Sequence, residues 1–219
     1  MATDPFVEAV TGIETASISD ALDRLHLPGS ALGIAPLSSG QRMVGRAFTV
    51  RYVPAGATKG TVGDYIDDVA PGQVVVLDNG GRLYCTVWGD ILTALASHKG
   101  IAGTAIFGVC RDVAKAVELR YPIYSSGRFM RTGKDRAEVA DVEVPVALGD
   151  VQVRPDDLIV GDDDGVVVVP AAHEEQVLEI ARQIVTSEDA ILSEALGGAS
   201  LGEVRKRHGY HTLQRGHRP

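Results

Sequence analysis

The chain has 219 residues, 45% of them apolar, a mean hydropathy of +0.07 and a formal net charge of −8. That size and apolar share suit one globular domain with a sizeable core and no need of disulfide staples. The acidic balance argues against nucleic acid as the main ligand, and no apolar stretch approaches the ~18 residues that a membrane span requires. The opening segment "MATDPFVEAVTG" carries acids early and lacks the apolar core of a signal peptide, so a cytoplasmic protein with no membrane partner is expected.

Residues 14–26, "ETASISDALDRLH", place Ile18, Leu22 and Leu25 on one face of a short amphipathic helix. The Gly/Pro/Ser-rich stretch 27–41 reads as a loop, 42–54 as a strand, and 60–73 as a short helix ending before Pro71. "VVVLDNGG" (74–81) reads as a strand closed by an Asn-Gly turn, and Leu83–Val87 as a further short strand. After "WGD" comes a helix with Ile91, Leu92, Leu95 and Ala96 on one side, ended by Gly100. Ala105–Cys110 is apolar without polar alternation, the pattern of a strand buried on both faces. Helical spacing returns from Val113 to Leu119, and "PIYSS" (122–126) completes a β-α-β-α-β order.

Residues 138–169 are strand-rich, and a long amphipathic helix follows from near Ala172 to Leu196. "GDDDGV" (161–166) reads as an acidic hairpin turn, since it lacks the alternate spacing and distant Glu of a calcium loop. "PGQVVVLDNGG" (71–81) and "PDDLIVGDDDG" (155–165) share a pattern that hints at a strand–turn unit used twice. The tail 205–219 carries five Lys/Arg and three His and reads as solvated or subunit-contacting. Cys85 and Cys110 fall inside strands and form no CxxC motif, as buried free thiols would.

Asp90 and Asp112 hold equivalent places, each between a strand and a helix, and Arg111 precedes the second. In a right-handed β-α-β unit both strands expose their carboxyl ends on one edge, where open α/β sheets bind ligands. The bland account makes both Asp residues helix caps, worth about 1 kcal/mol each. The alternative starts from the amides of Ile91 and Leu92, which favour an anion at the helix start. Asp90 would repel that anion unless a cation lay between them. A hard divalent ion, coordinated mostly by water, suits one or two carboxylates without His or Cys. Arg111 adds a planar fork for a carboxylate or 2-oxo acid.

"WGDIL" followed after twenty residues by "RD" at 111–112 resembles the family that joins class II 4-hydroxy-4-methyl-2-oxoglutarate aldolases with RraA-type regulators of ribonuclease E. "SHKGIAGTAIFGVCRD", "YPIYSSG" and "VPVALGDVQVRPDDLIVGDDDGVVVVP" agree, and the resemblance covers roughly residues 15–196. It implies a single-domain α/β fold of the β/β/α swivelling type with a C-terminal amphipathic helix. It also implies a homotrimer or homohexamer with sites at subunit interfaces. Asp112 would hold Mg²⁺ (or Mn²⁺) directly and Asp90 through water, and the turn Gly89, Asp90, Ile91 and Leu92 would grip pyruvate together with Arg111. A Glu from a neighbouring subunit's C-terminal helix would complete the shell: Glu188, with Glu174, Glu175, Glu179 and Glu194 as alternatives. The sequence departs from the family pattern at Lys115, where an acidic residue is common, and at "PDD" (155–157) in place of "PGD".

The implied function is a metal-dependent lyase that cleaves a 4-hydroxy-2-oxo acid to pyruvate and decarboxylates oxaloacetate, with Arg111 and Asp90 as catalytic groups. No Lys in an apolar stretch offers a Schiff base. The alternative is a non-catalytic regulator of a ribonuclease or RNA helicase. Loops 27–41 and 124–134, with the neighbouring subunit, are expected to set the pocket beyond C4.

Overall fold

The computed structural model describes residues 4–57 and 60–210. In chain order it contains α1 (Pro5–Ala9), α2 (Thr15–Arg24), β1 (Ala35–Pro36), β2 (Met43–Pro54), a 3-10 turn (Asp64–Asp67), β3 (Val74–Thr86), α3 (Asp90–Lys99), β4 (Gly103–Cys110), α4 (Val113–Leu119) and β5 (Ile123–Arg128). There follow β6 (Ala137–Val142), β7 (Val146–Leu148), β8 (Val151–Val153), β9 (Leu158–Asp162), β10 (Gly165–Val169), α5 (Glu174–Leu196) and α6 (Leu201–Arg207).

Uninterrupted β-branched runs need cover on both faces, and the strands that carry them lie at the centre. β2, β3, β4 and β5 are mutually parallel neighbours, with Val76 opposite Thr49 on one side and Ala105 on the other. β2 is long enough to serve two partners on its free edge. Met43–Arg46 pair antiparallel with β9, and Val50–Pro54 pair with β6. The sheet runs β1-β5-β4-β3-β2-β9-β10, and the β7–β8 hairpin forms a separate ribbon.

Three apolar clusters follow from this layering. α3, α4 and the 3-10 turn cover one face over Val75, Leu77, Ile106 and Trp88. The ribbon residues Val146, Leu148, Val151 and Val153 cover the other face over Val74, Val76 and Ala105. α2 and α5 pack Ile18, Leu22, Val177, Leu178 and Ala181 against Leu158, Val160 and Val167. The order of layers is therefore β/β/α, with the C-terminal helix on the β9–β10 side.

Several local expectations change. Residues 74–86 form one strand rather than a strand, a turn and another strand. Gly80 and Gly81, at φ 58° and 66°, let residues 79–81 bulge out between the Asp78–Phe107 and Arg82–Gly108 pairs. The Asn-Gly signal was real turn chemistry, but parallel pairing with β4 resumes beyond it. Residues 60–73 hold a four-residue 3-10 turn instead of a helix. The 71–81 and 155–165 motifs are not one unit used twice: β3 runs parallel to β2, whereas β9 runs antiparallel and ends in a hairpin. The acidic turn 162–165 does close that hairpin.

The start of the basic tail is helical, and Lys206 and Arg207 stay exposed on it. Val204 is buried, and Arg207 and His208 both engage Glu194 of α5. The rest of the tail, 211–219, lies outside the described residues. Cys85 and Cys110 are buried and free. Among the described residues no helix is long and apolar enough to cross a membrane.

Candidate active site at the carboxyl edge of β3 and β4

Because β3 and β4 are adjacent and parallel, their exits converge, and Gly89–Asp90 meets Arg111–Asp112. The backbone N–H of Arg111 donates to Trp88 O at 3.1 Å, fastening the two exits together.

Neither Asp caps its helix as the bland account requires. Gly89 is the N-cap of α3, and Asp90 is its first helical residue. Asp112 stands at the N-cap of α4 in the left-handed region, φ 56° and ψ 38°, and its side chain makes no bond to that helix. A non-glycine residue held there costs about 1 kcal/mol or more, a strain typical of functional sites. The carboxylate turns instead toward α3. Its Oδ2 accepts from the Asp90 N–H at 3.1 Å and lies 3.1 Å from Arg111 Nε. Its Oδ1 accepts no hydrogen bond from the described residues.

Gly89 is required by this approach. A Cβ there would stand 2.7 Å from Asp112 Oδ2 and 3.1 Å from Arg111 Nε. Its own backbone, φ −146° and ψ −163°, is extended and open to any residue.

The start of α3 is less free than the sequence suggested. The Ile91 N–H donates to Asp90 Oδ1 at 2.9 Å, and the Asp90 N–H is taken by Asp112. The amides of Gly89 and Leu92 have no hydrogen-bond partner among the described residues, leaving two unpaired donors at the helix start. Ile91 is 78% exposed at the rim.

A cavity of about 430 Å³ opens from this point. Val62, Ile66, Leu92 and Leu95 form apolar wall, Asp64 and Asp67 add acids, and Thr132 and Gly133 close the far side. Lys99 Nζ secures the wall by donating to Ile66 O and Asp67 O, both at 2.8 Å. Within one chain, the loop 124–134 contributes to this cavity and the loop 27–41 does not. Ser30–Ala35 instead line a cleft beside β10. Two clefts of about 730 Å³ each flank α5 and are larger, but neither brings Asp90 or Arg111 to its wall.

The donor set suits a hard divalent cation and no soft one. Two carboxylates, each with an oxygen that bonds to none of the described groups, fit an ion that keeps most of its waters. Among the described residues no cluster of three His, Cys, Asp or Glu could cage a metal. Three of the candidate acids on the C-terminal helix are engaged elsewhere within one chain, while Glu175 lines a cleft beside α5 away from Asp112. Glu174 pairs with Arg46, Glu194 with Arg207 and His208, and Glu179 accepts from Gln183. Glu188 lines a cleft beside α5 with Glu14 and Asp189, so it could reach a metal at Asp112 only from a neighbouring chain. Burial, reinforced by Asp20, Asp189 and Glu14, pushes its carboxyl pKa up. Lys115 bonds Glu118 at 2.8 Å, one turn along its own helix.

Sequence reasoning missed Thr86, Trp88 and Thr93, which lie buried directly beneath the site. Their signal was three hydrogen-bonding side chains within eight residues around the Gly-Asp turn, hidden among apolar neighbours.

The fold and site together define an α/β protein whose Gly89–Asp90 and Arg111–Asp112 turns meet at the carboxyl edge of a parallel sheet. Residues 15–168 match the family described as RraA-like, Aldolase/RraA, and the chain belongs to that family. It is 35% identical over 185 residues to a Halalkalibacterium halodurans protein named "Putative 4-hydroxy-4-methyl-2-oxoglutarate aldolase", covering 84% of this chain and 86% of that one. It is 36% identical over 208 residues to Protein DlpA of Legionella pneumophila, covering 93% of this chain but spanning about a third (34%) of DlpA. A crystal structure of an uncharacterized Pseudomonas syringae protein superposes with a TM-score of 0.85 at 40% identity, covering 91% of this chain and 96% of that one. Streptomyces coelicolor RraAS2, described as an unusual member of the RNase ES inhibitor RraA family, superposes with a TM-score of 0.77 at 27% identity, covering 86% and 97%.

Proposed function

We propose that the protein is a divalent-metal-dependent lyase that cleaves a 4-hydroxy-2-oxo acid to pyruvate and decarboxylates oxaloacetate through the same enolate. The observation that carries this reading is the turn of Asp112 away from its own helix toward Asp90 and Arg111. Asp112 and Asp90 would hold Mg²⁺ or Mn²⁺, and Glu188 of a neighbouring chain in a trimer or hexamer would complete the set. When bound, the ion supplies Lewis-acid polarisation of the 2-oxo group.

The protein's own groups supply the rest. Arg111 and the free amides of Gly89 and Leu92 bind the substrate C1 carboxylate and its 2-oxo oxygen. Loss of the C4-hydroxyl proton to water breaks C3–C4 and sends the electron pair to C3 and the C2 oxygen, leaving the pyruvate enolate. Arg111 holds that developing charge, the interaction of greatest value in such a step. Asp90 holds the water that returns a proton to C3. Val62, Ile66, Leu92 and Leu95 limit bulk water around the enolate.

Product stoichiometry tests the assignment. Cleavage of 4-hydroxy-4-methyl-2-oxoglutarate yields two pyruvates per molecule consumed, whereas dehydration or hydrolysis of the same acid yields none. A non-catalytic regulator of a ribonuclease or RNA helicase is the second reading, and the likeness to RraAS2 favours it. Absence of pyruvate from both substrates, together with inhibition of a ribonuclease by the folded chain, would select it.

A further inference from the structure

Beneath the site runs a continuous chain of hydrogen bonds that the mechanism does not use. The Trp88 indole Nε1–H donates to Thr93 Oγ1 at 2.9 Å. That hydroxyl spends its own proton on Gly89 O at 2.8 Å, and the Thr93 N–H reaches the same carbonyl at 3.0 Å. Gly89 O and the Asp90 N–H belong to one peptide plane, so fixing the carbonyl fixes the amide. That amide donates to Asp112 Oδ2 at 3.1 Å. From the other side, Thr86 Oγ1 accepts the Trp88 N–H at 3.2 Å and donates to Trp88 O at 2.9 Å. Trp88 O also receives the Arg111 N–H. Thr86, Trp88 and Thr93 are at most 3% exposed, and Trp88 lies nearly parallel to Tyr121, 6.2 Å between ring centres.

We infer that Trp88 and Thr93 are positioning residues, which orient the Asp112 carboxylate through the Gly89–Asp90 peptide and keep its Oδ1 turned out toward the cation. The inference rests on the reading that Asp112 holds a divalent ion. Buried polar side chains near a site can be there for stability alone. Two features separate this relay from such a role. The Thr93 hydroxyl duplicates a helical backbone bond to the same carbonyl, so its effect falls on the peptide's orientation rather than on helix formation. The relay also ends on the oxygen opposite the one left free. Groups that orient a metal-binding carboxylate in this way typically carry about 10- to 100-fold of metal affinity.

The test uses the full chain as wild type, Thr93→Val, Thr93→Ser, Trp88→Phe and Thr49→Val. Thr49 is an equally buried threonine whose hydroxyl bonds Val144 O at 2.7 Å, away from the site, and it controls for loss of a buried hydrogen bond. Mn²⁺ affinity is measured by electron paramagnetic resonance, and exchange of the Asp90 amide by NMR. The relay predicts that Thr93→Val and Trp88→Phe weaken Mn²⁺ about tenfold or more. Thr93→Ser and Thr49→Val stay within about twofold, and Asp90 amide exchange accelerates only in the first two. Wild-type affinity in Thr93→Val, or an equal loss in Thr49→Val, overturns the inference. If wild type itself binds no Mn²⁺, the metal reading fails and the amide decides. Faster Asp90 exchange in Thr93→Val supports the relay, and unchanged exchange overturns it.

Discussion

Gly89→Ala separates the needs of the fold from those of the site. The backbone at Gly89 is extended, so alanine meets no conformational penalty there. The new methyl would stand 2.7 Å from Asp112 Oδ2, well inside carbon–oxygen contact distance, and 3.1 Å from Arg111 Nε. The carboxylate must move by about half an ångström or more, loosening its bond to the Asp90 N–H and its ion pair with Arg111. Both side chains are more than a third exposed, so the lost pair costs the fold about 1 kcal/mol at most. For a chain of this size that lowers Tm by about 2–4 °C. Misplacement of a site group by about 1 Å costs about 10²-fold, so the smaller shift here should still cost kcat/KM about tenfold or more. Pyruvate release measured beside a thermal melt reads both effects. A variant that loses less than threefold in activity would show that the Asp112 position is immaterial and refute the reasoning.

Further outcomes follow from contacts elsewhere. Arg46 joins Asp4 at 2.7 Å, Glu174 at 2.6 Å and Asp156 O at 3.1 Å, so Arg46→Leu strands the nearly buried Glu174 carboxylate. The expected loss is about 2–3 kcal/mol, or about 5–10 °C in Tm by calorimetry. The Arg46 hydrogen bond also holds the Asp4 carboxyl below its ordinary 3.8. A depressed folded-state pKa adds stability above the unfolded value that is lost as pH falls through the folded one. Wild type should therefore lose stability below about pH 4 through this pair, and Arg46→Leu should lack that component. Glu188 has the opposite sign, since its raised pKa makes the ionised form unfavourable in one chain. Glu188→Gln should raise Tm at pH 7 but not near pH 4, while lowering activity at least tenfold if it completes a neighbour's site. Burial raises the Cys110 pKa and covers Cys85, so both thiols should react with Ellman's reagent only after denaturation.

Much of the active edge was legible because its signals are local. Glycine in the left-handed conformation ends α3 at Gly100, φ 71°, as its position after the apolar face required. The apolar run Ala105–Cys110 reads as a strand covered on both sides, and its pairing with β3 sets the Arg111–Asp112 exit beside Gly89–Asp90. What the sequence hid is set by tertiary pairing. The Asn79–Gly80 turn signal gave no hint that β3 would resume against β4, because that depends on partners far along the chain, Gly108 and Val109. The cavity wall at 62–67 lies in a segment whose apolar residues suit a helix turn, and Lys99 from another element fixes its final form. Spacing alone could not tell which helix the Asp112 carboxylate faces, so its bond to the Asp90 N–H was not legible in the sequence.

The proposed lyase chemistry depends on Asp112 and a divalent ion together. The most direct measurement is pyruvate release from oxaloacetate and from 4-hydroxy-4-methyl-2-oxoglutarate, through a coupled dehydrogenase. Chelator-treated protein is assayed before and after Mg²⁺ is restored, with Asp112→Ala beside it. Release should require Mg²⁺ and fall by at least about 10²-fold in the variant. Release that persists without the metal, or that is equal in Asp112→Ala, would contradict it.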